Sequence, residues 1–177
     1  MQRKIVMNIL FKNEFTRTPD AYRALNKYWY FKRPFPVVCF CYFALYILGL
    51  IWAAINALVE PSTFIICFLT VAALSGLYIF TYFRQIKMTK KRDIEMMGKP
   101  EYDVSLTIDN EQITHTAGDC VNTVKLSSIK KAFRNEGYLF LLTEANLTFI
   151  LKEDSFTVGS LDELLTFLSE RSIKVKK

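Results

Sequence analysis

The side chains that could support catalysis are few and widely separated in this sequence. The single histidine, His115, precedes Cys120 by five residues, and a turn at Gly118-Asp119 would place the two on paired strands. A cysteine nucleophile also needs a third group that orients its histidine base, together with a pocket. The sequence offers no such third group near this pair. The pattern therefore favours a surface or edge histidine, and we expect no catalytic residue.

Binding motifs for metals, nucleotides and cofactors are equally scarce. Cys39, Cys41 and Cys67 lie in apolar runs and form no CxxC pair, so we predict neither a zinc site nor a disulfide framework. The acidic pair Glu153-Asp154 is typical of a solvated loop at the end of a strand. Phosphate-loop, GxSxG and HExxH motifs do not occur. We therefore predict a protein that is not an enzyme and that binds no metal or cofactor.

A basic run is the strongest electrostatic feature of the chain. Residues 84–98 are predicted to form a basic juxtamembrane linker. They carry a net charge of +3, whereas residues 99–177 carry −2. A nucleic-acid binder would be expected to carry its positive charge on the folded domain, so we predict no nucleic-acid partner. Two explanations stay open: the cations only set the topology of the preceding apolar segment, which we favour, or they also contact anionic lipid head groups. The candidate lipid-contacting residues are Arg84, Lys87, Lys90, Lys91 and Arg92.

Two long uncharged segments precede the basic run. Residues 34–59 and 61–83 contain no charged side chain. Each exceeds the roughly 20 residues that a helix needs to cross about 30 Å of hydrocarbon. The core helices of soluble proteins rarely run this far without a charge. We therefore predict two transmembrane helices, at 34–59 and 61–83, with the lipid bilayer as their partner.

The charges beside these segments predict their orientation. Glu60 is the only charge in the short turn between them, and the basic run of residues 84–98 follows the second segment. Four more cations precede the first segment: Arg23, Lys27, Lys32 and Arg33. Positively charged flanks stay in the cytoplasm. The pattern predicts a multi-pass protein of the cell inner (cytoplasmic) membrane with both termini in the cytoplasm.

Small residues recur along both predicted spans. Gly49, Ala53 and Ala57 are spaced four residues apart on the first, and Ala72 and Gly76 on the second. This spacing allows close packing of helix backbones in lipid. The two stripes lie at similar depths, so they could face each other. The alternative is that alanine and glycine are simply common in membrane spans.

The segment before the first span contains a predicted strand and a predicted helix. Thr18-Pro19-Asp20 is a typical helix start, so residues 19–33 are predicted to form a helix near the cytoplasmic membrane surface. Residues 4–11 are apolar and β-branched, which favours a strand. Because a lone strand is unstable, we predict that residues 1–18 contribute a strand to the C-terminal sheet.

The C-terminal region, residues 99–177, has the pattern of an antiparallel meander. Apolar and polar residues alternate from Val104 to Ile108, and further strands are predicted at 112–117, 121–126, 129–134, 138–143 and 147–152. Ser160 and Glu163 then fit a capping box at the start of a helix. With the N-terminal strand, the predicted fold class is an α+β membrane protein. It combines a two-helix transmembrane hairpin with a cytoplasmic pleckstrin-homology-like (PH-like) antiparallel β-barrel or sandwich, capped by a C-terminal helix.

The chain as a whole resembles the YcxB-like family of bacterial membrane proteins. The stretches that carry the resemblance are residues 104–109, 124–131, 138–143 and 150–152, followed by Phe156 and the helix at Leu161. These stretches are patterns of apolar residues and turns. The resemblance implies an N-terminal strand and helix, a two-span hairpin, a PH-like domain and a location in the cytoplasmic membrane. It implies no biochemical activity.

Two functions are compatible with these patterns. The first is a membrane-tethered binding or regulatory module, whose PH-like domain offers a surface for a peptide or protein. The alternative is an accessory or immunity-type subunit that acts through helix contacts with a membrane transporter. Either function allows another membrane protein, or a second copy of the chain, as partner.

Overall fold

The structure is a computed structural model, and it describes residues 9–32, 34–56, 58 and 60–176. Its class is α+β. The nine described strands are β1 (Phe11–Arg17), β2 (Tyr102–Ile108), β3 (Gln112–Ala117), β4 (Cys120–Lys125), β5 (Ile129–Asn135), β6 (Tyr138–Thr143), β7 (Thr148–Lys152), β8 (Phe156–Val158) and β9 (Lys174–Lys176). The α-helices are α1 (Pro19–Lys27), α2 (Pro34–Ile55), α3 (Pro61–Met97) and α4 (Leu161–Glu170). The described chain forms two compact units, the apolar helical unit Asn26–Lys91 and a β domain built from the residues on either side of it.

The strands of the β domain form two sheets. The first has the order β4-β3-β2-β1-β8 and the second the order β7-β6-β5-β9. Neighbours are antiparallel except β5 and β9, which are parallel. The meander predicted for residues 102–152 is present, and the strands at 112–117 and 138–143 have the predicted bounds. The sequence did not predict β8 and β9, because three residues are too few to show an alternating pattern.

The N-terminal strand pairs with a strand that follows the helical unit in the chain. β1 is antiparallel to β2 over seven consecutive pairs, from Phe11 opposite Ile108 to Arg17 opposite Tyr102. The sequence pattern predicted this strand at residues 4–11, of which residues 4–8 lie outside the described part of the chain. The described strand begins at Phe11 instead. The alternation of apolar and polar residues in this strand is not apparent in the sequence, because the polar residue Asn13 occupies a buried position between Phe11 and Phe15.

Asn13 links the two sheets. Its side chain is fully buried, and its Nδ2 donates to the Lys152 carbonyl oxygen at 2.8 Å, while its Oδ1 accepts from the Lys152 amide at 3.0 Å. The side-chain amide thus forms the pair of hydrogen bonds that a neighbouring strand would otherwise form. Because Lys152 belongs to β7, these bonds close one edge of the second sheet onto β1.

The apolar core lies between the sheets and is capped by α4. Its fully buried side chains include Leu106, Ile108, Ile113, Leu139, Leu141, Leu151, Leu164 and Leu168. The predicted capping box at the start of α4 is confirmed. The Ser160 hydroxyl accepts from the Glu163 amide, and the Glu163 carboxylate accepts from the Ser160 amide at 2.9 Å. These two bonds satisfy backbone donors that the first turn of a helix leaves free.

The helical unit contains the two apolar helices. The segments 36–55 and 61–95 have peak mean hydropathies of 2.3 and 2.2, and almost none of their apolar residues are buried within the chain. They are therefore not core helices of the β domain, and both have the length and composition of a membrane span. The second helix does not end at Phe83, since α3 continues through the basic run to Met97. It stops at Gly98, whose positive φ of 70° allows its amide to bond back to the Ile94 carbonyl at 2.8 Å.

The helix predicted at 19–33 begins at Pro19 as expected, but its first turns contact the β domain. Ala21 and Ala24 are buried, and the Ala24 carbonyl accepts from the side chain of Asn135 at 2.7 Å. From Tyr28 to Lys32 the helix widens to a π-helical turn. The placement of this segment near the membrane surface stays a prediction, whereas its contact with the sheet is a finding that the sequence did not anticipate.

Candidate functional site

The cations of the basic run all lie on the exposed surface of α3. The covered face of this part of the helix is formed by Tyr82, Ile86, Thr89 and Asp93, at spacings of three and four residues. Arg84, Lys87, Lys90, Lys91 and Arg92 project from the remaining surface. Both explanations of the run, topology and contact with anionic head groups, are compatible with this exposure.

The glycines of the two small-residue stripes do not face each other within the hairpin. Gly49, Ala72 and Gly76 are exposed, and Ala53 is half-buried. A Cβ atom placed on Gly49 or Gly76 would meet no atom within 4 Å. Ala57 lies outside the described residues. The two stripes therefore do not form a tight interface within the hairpin, and their packing against another helix stays a prediction.

Larger side chains lie where the small residues were expected. Phe40 contacts Tyr78 with ring centroids 5.6 Å apart, and Val71 is only 8% exposed. An apolar groove of about 470 Å³ lies between the helices. Its lining residues are Cys39, Tyr42, Phe43, Tyr46, Ile66, Cys67, Thr70, Val71 and Leu74. The faces that α2 and α3 present to each other are thus aromatic and branched, and the glycines point outward.

Four polar side chains form a buried cluster in the β domain, which we call the junction cluster: Arg17, Tyr22, Asp93 and Tyr102. The Tyr102 hydroxyl donates to the Asp93 carboxylate at 2.8 Å and lies 3.0 Å from the Tyr22 hydroxyl. The Arg17 guanidinium lies over the Tyr22 ring at 4.2 Å. The cluster therefore ties together β1, α1, the end of α3 and the start of β2.

Burial dominates the electrostatics of the junction cluster. It lowers the pKa of Arg17 and raises the pKa of Tyr102 to about 12. Nε of Arg17 is buried and has no hydrogen-bond partner within the described part of the chain. Sequence reasoning missed this cluster. The only available signal was Asp93, an acidic residue directly after the cations of the basic run.

His115 and Cys120 do lie on paired strands, but they are not opposite each other. His115 faces Asn122, and Cys120 faces Ala117. The His115 ring packs 5.8 Å from the Phe149 ring, and burial lowers its pKa to about 4. Cys120 is exposed. His115 is thus a neutral, partly buried side chain at physiological pH. Among the described residues, no three His, Cys, Asp or Glu side chains group into a possible metal site.

His115 predicts an acid-dependent loss of stability. Its pKa of about 4 in the folded protein lies below the ordinary value of 6.5. Between these two pH values, His115 is therefore protonated in the unfolded chain and neutral in the folded chain. We expect the His115 contribution to fall by roughly 2 kcal/mol between pH 7 and 4, after allowance for its partial contact with solvent. Urea unfolding of the full chain in detergent at several pH values measures this. His115→Gln should be less sensitive to acid than the parent by that amount; equal pH dependence would contradict the assignment.

A second cavity, of about 760 Å³, opens on one side of the β domain. We call it the seam, because its lining comes from the ends of both sheets and from the turn after α4. Its apolar lining residues are Leu126, Ile129 and Ile173, which are 3%, 5% and 9% exposed. The other lining residues are Asn110, Glu111, Gln112, Lys125, Ser127, Arg171 and Ser172. The seam combines apolar surface with a polar rim, which is typical of a binding site.

The chain was compared with protein-family models, curated proteins and solved structures, and none of them matches it. The function must therefore be inferred from the site. The seam has a concave surface with charged groups at its edge. The junction cluster is a buried connection between chain segments rather than a surface for a ligand.

Proposed function

We propose that this protein is a membrane-tethered, cytoplasmic binding or regulatory module of PH-like fold, into which a two-span hairpin is inserted. The seven-pair register between β1 and β2 carries this proposal. The two strands lie on opposite sides of the helical unit in the chain, so both connections to the apolar helices leave from one folded domain. A domain held by two connections stays close to the bilayer surface, where its partners would be membrane proteins or their cytoplasmic tails.

The strand arrangement supports a PH-like identity. The four strands β4-β3-β2-β1 and the three strands β7-β6-β5 form two facing antiparallel sheets, and α4 contributes Leu164 and Leu168 to the core between them. This is the arrangement that the resemblance to YcxB-like proteins implies. We accordingly propose membership of that family, together with its location in the cytoplasmic membrane.

The proposed orientation predicts which cysteines a membrane-impermeant maleimide will label. With Cys39, Cys41 and Cys67 replaced by alanine, the exposed Cys120 should react only after the cells are permeabilised. In a Cys120→Ser background, Glu60→Cys should react in intact cells, because Glu60 lies in the turn between the spans. Labelling of Cys120 in intact cells would contradict a cytoplasmic β domain.

The binding function predicts specific capture in native membranes. A photo-crosslinking residue placed on an exposed strand of the β domain, at Val121, should capture one protein in a discrete adduct. The same photo-crosslinking residue at Leu147, which is exposed directly before β7, serves as the matched control. If the two positions yield the same adducts, or if neither yields an adduct and a lysine-reactive crosslinker also captures no protein, the binding module is the wrong interpretation.

The outward-facing glycines favour the accessory or immunity-type subunit as a second candidate. Gly49 and Gly76 have open space where a partner helix would approach. Leucine at Gly49, Ala53, Ala72 and Gly76 should abolish co-purification with a transporter if this candidate is right, while the β domain stays folded. Assembly that survives these four changes would exclude it.

A further inference from the structure

We propose that the seam binds an extended acidic peptide, which adds to the free edge of β4 as a further strand. This proposal rests on the binding function proposed above and gives that function a site and a ligand class. The ligand would be a segment of a partner protein with acidic residues and at least one apolar side chain.

The free edge is the first observation. β4 ends its sheet and runs for six residues, nearly all of them exposed, with Val121 exposed by 62%. The other described edges are less available, since β8 and β9 have three residues each and β7 is bonded to Asn13. Proteins usually protect an edge with proline, a bulge or several charges. β4 has no proline, pairs with β3 without a bulge, and carries a single charge at its end.

The backbone of β4 shows which groups are available to a ligand. The Gly118-Asp119 turn joins Ala117 to Cys120, and in such a two-residue hairpin the pair beside the turn is hydrogen-bonded. Because bonded and non-bonded pairs alternate, Thr123 belongs to a non-bonded pair with Thr114. The two hydroxyls of that pair lie 3.3 Å apart. The amide of Thr123 therefore points away from β3, toward the position of an added strand.

The seam and its charges identify the ligand class. Lys125, at the end of β4, also lines the seam, so a strand added to β4 would run beside the apolar surface of Leu126, Ile129 and Ile173. Lys125 and Arg171 lie on its rim, and Glu111 is the only acidic residue in its lining. On the neighbouring strand β9, Lys174 and Lys176 are also exposed. This cationic border belongs to a region with a net charge of −2, so it complements an acidic peptide specifically.

The probe for this proposal is a fluorescein-labelled nonapeptide of the sequence Glu-Asp-Val-Thr-Leu-Thr-Val-Asp-Glu. Full-length protein in phosphatidylcholine nanodiscs should bind it saturably in fluorescence anisotropy, with an affinity that falls as salt rises. Thr123→Pro removes the free amide and leaves the bonds to β3, and it should weaken binding about tenfold or more. Thr123→Val keeps the amide and should bind like the parent.

Charge reversal tests the second half of the proposal. The double variant Lys125→Glu, Arg171→Glu should bind the acidic peptide more weakly. It should instead bind a peptide in which lysine replaces each glutamate and aspartate. Lys125 is exposed, so Lys125→Glu alone should keep the parent's melting temperature. Arg171 also lies over the Phe167 ring at 3.9 Å and donates to Asn110 at 3.3 Å, so the melting temperature of the double variant is measured beside its binding. Absence of saturable binding overturns the proposal. Equal peptide binding by Thr123→Pro and Thr123→Val overturns strand addition. If the protein does not bind the peptide and Thr123→Pro changes its oligomeric state, β4 is a contact between copies of the chain, which also overturns the proposal.

Failure here is distinguishable from failure of the proposed function. A lysine-reactive crosslinker in native membranes needs no probe on β4. If it still captures a discrete partner from Thr123→Pro protein, the binding function stands and the β4 edge is the wrong site. If crosslinking captures no partner from the parent protein, the binding function itself fails.

Discussion

Replacement of Asn13 by leucine should lower the free energy of unfolding of the β domain by about 2–4 kcal/mol. Leucine has the branching and the number of side-chain heavy atoms of asparagine and is larger in volume, so no cavity forms and the expected loss comes mainly from hydrogen bonding. The substitution would remove the Asn13 acceptor from the Lys152 amide and leave the Lys152 carbonyl with only the Ser155 amide, at 3.2 Å, among the described residues, at a site where the Asn13 side chain is fully buried. An unpaired buried polar group costs more than an average hydrogen bond contributes.

Urea unfolding of the full chain in detergent, followed by near-ultraviolet circular dichroism, measures this loss. Asn122→Leu is the matched control, because Asn122 is exposed on β4 and should change the free energy by no more than about 0.5 kcal/mol. Asn13→Asp keeps the shape of the side chain and changes its charge and its hydrogen-bonding groups. A buried carboxylate keeps an acceptor for the Lys152 amide but loses the donor, so it should also destabilise. If Asn13→Leu were as stable as the parent, Asn13 would not be what closes the two sheets.

The larger effect should come from loss of β1. A fragment of residues 99–177 should fail to fold cooperatively, because β2 would lose its seven-residue partner and the core would lose Phe11. It would also lose the Asn13 link to β7. The expected nuclear magnetic resonance spectrum of the labelled fragment has the narrow amide dispersion of an unfolded chain.

The matched comparison keeps β1 and omits the helices. Residues 9–25 joined through a flexible Gly/Ser linker to residues 92–177 contain the parts of the chain that form the β domain. We expect this protein to be soluble and folded, with dispersed amide signals and a cooperative thermal transition. A folded 99–177 fragment that is as stable as the joined protein would show that β1 is dispensable and would remove the main support for reading the hairpin as an insertion.

The junction cluster holds the last turns of α3 within the β domain. Asp93 belongs to the same continuous helix as the second apolar segment, and its carboxylate accepts from Tyr102 at the start of β2. The predicted linker at 84–98 is therefore helical along nearly its full length.

Much of this architecture was available from the sequence, because it depends on local patterns. A charge-free run of more than 20 residues predicts an apolar helix whatever surrounds it, and α2 and α3 follow that prediction. The strands β3 and β6 were placed with the observed bounds, because turn residues flank each of these short runs. The capping box of Ser160 and Glu163 was recognised because helix capping involves residues only three apart.

The tertiary structure alone decided the features that depend on contacts between distant residues. Asn13 is polar, yet it is buried, because its partner Lys152 lies 139 positions later in the chain. The small-residue stripes turned outward because larger side chains occupy the space between α2 and α3. The junction cluster and the seam each join segments from several elements, so their individual residues carry no recognisable spacing. The sequence by itself determined the elements and the candidate spans; long-range pairing decided which residues those elements bring together, since burial of a polar side chain is favourable only where the fold supplies its partner.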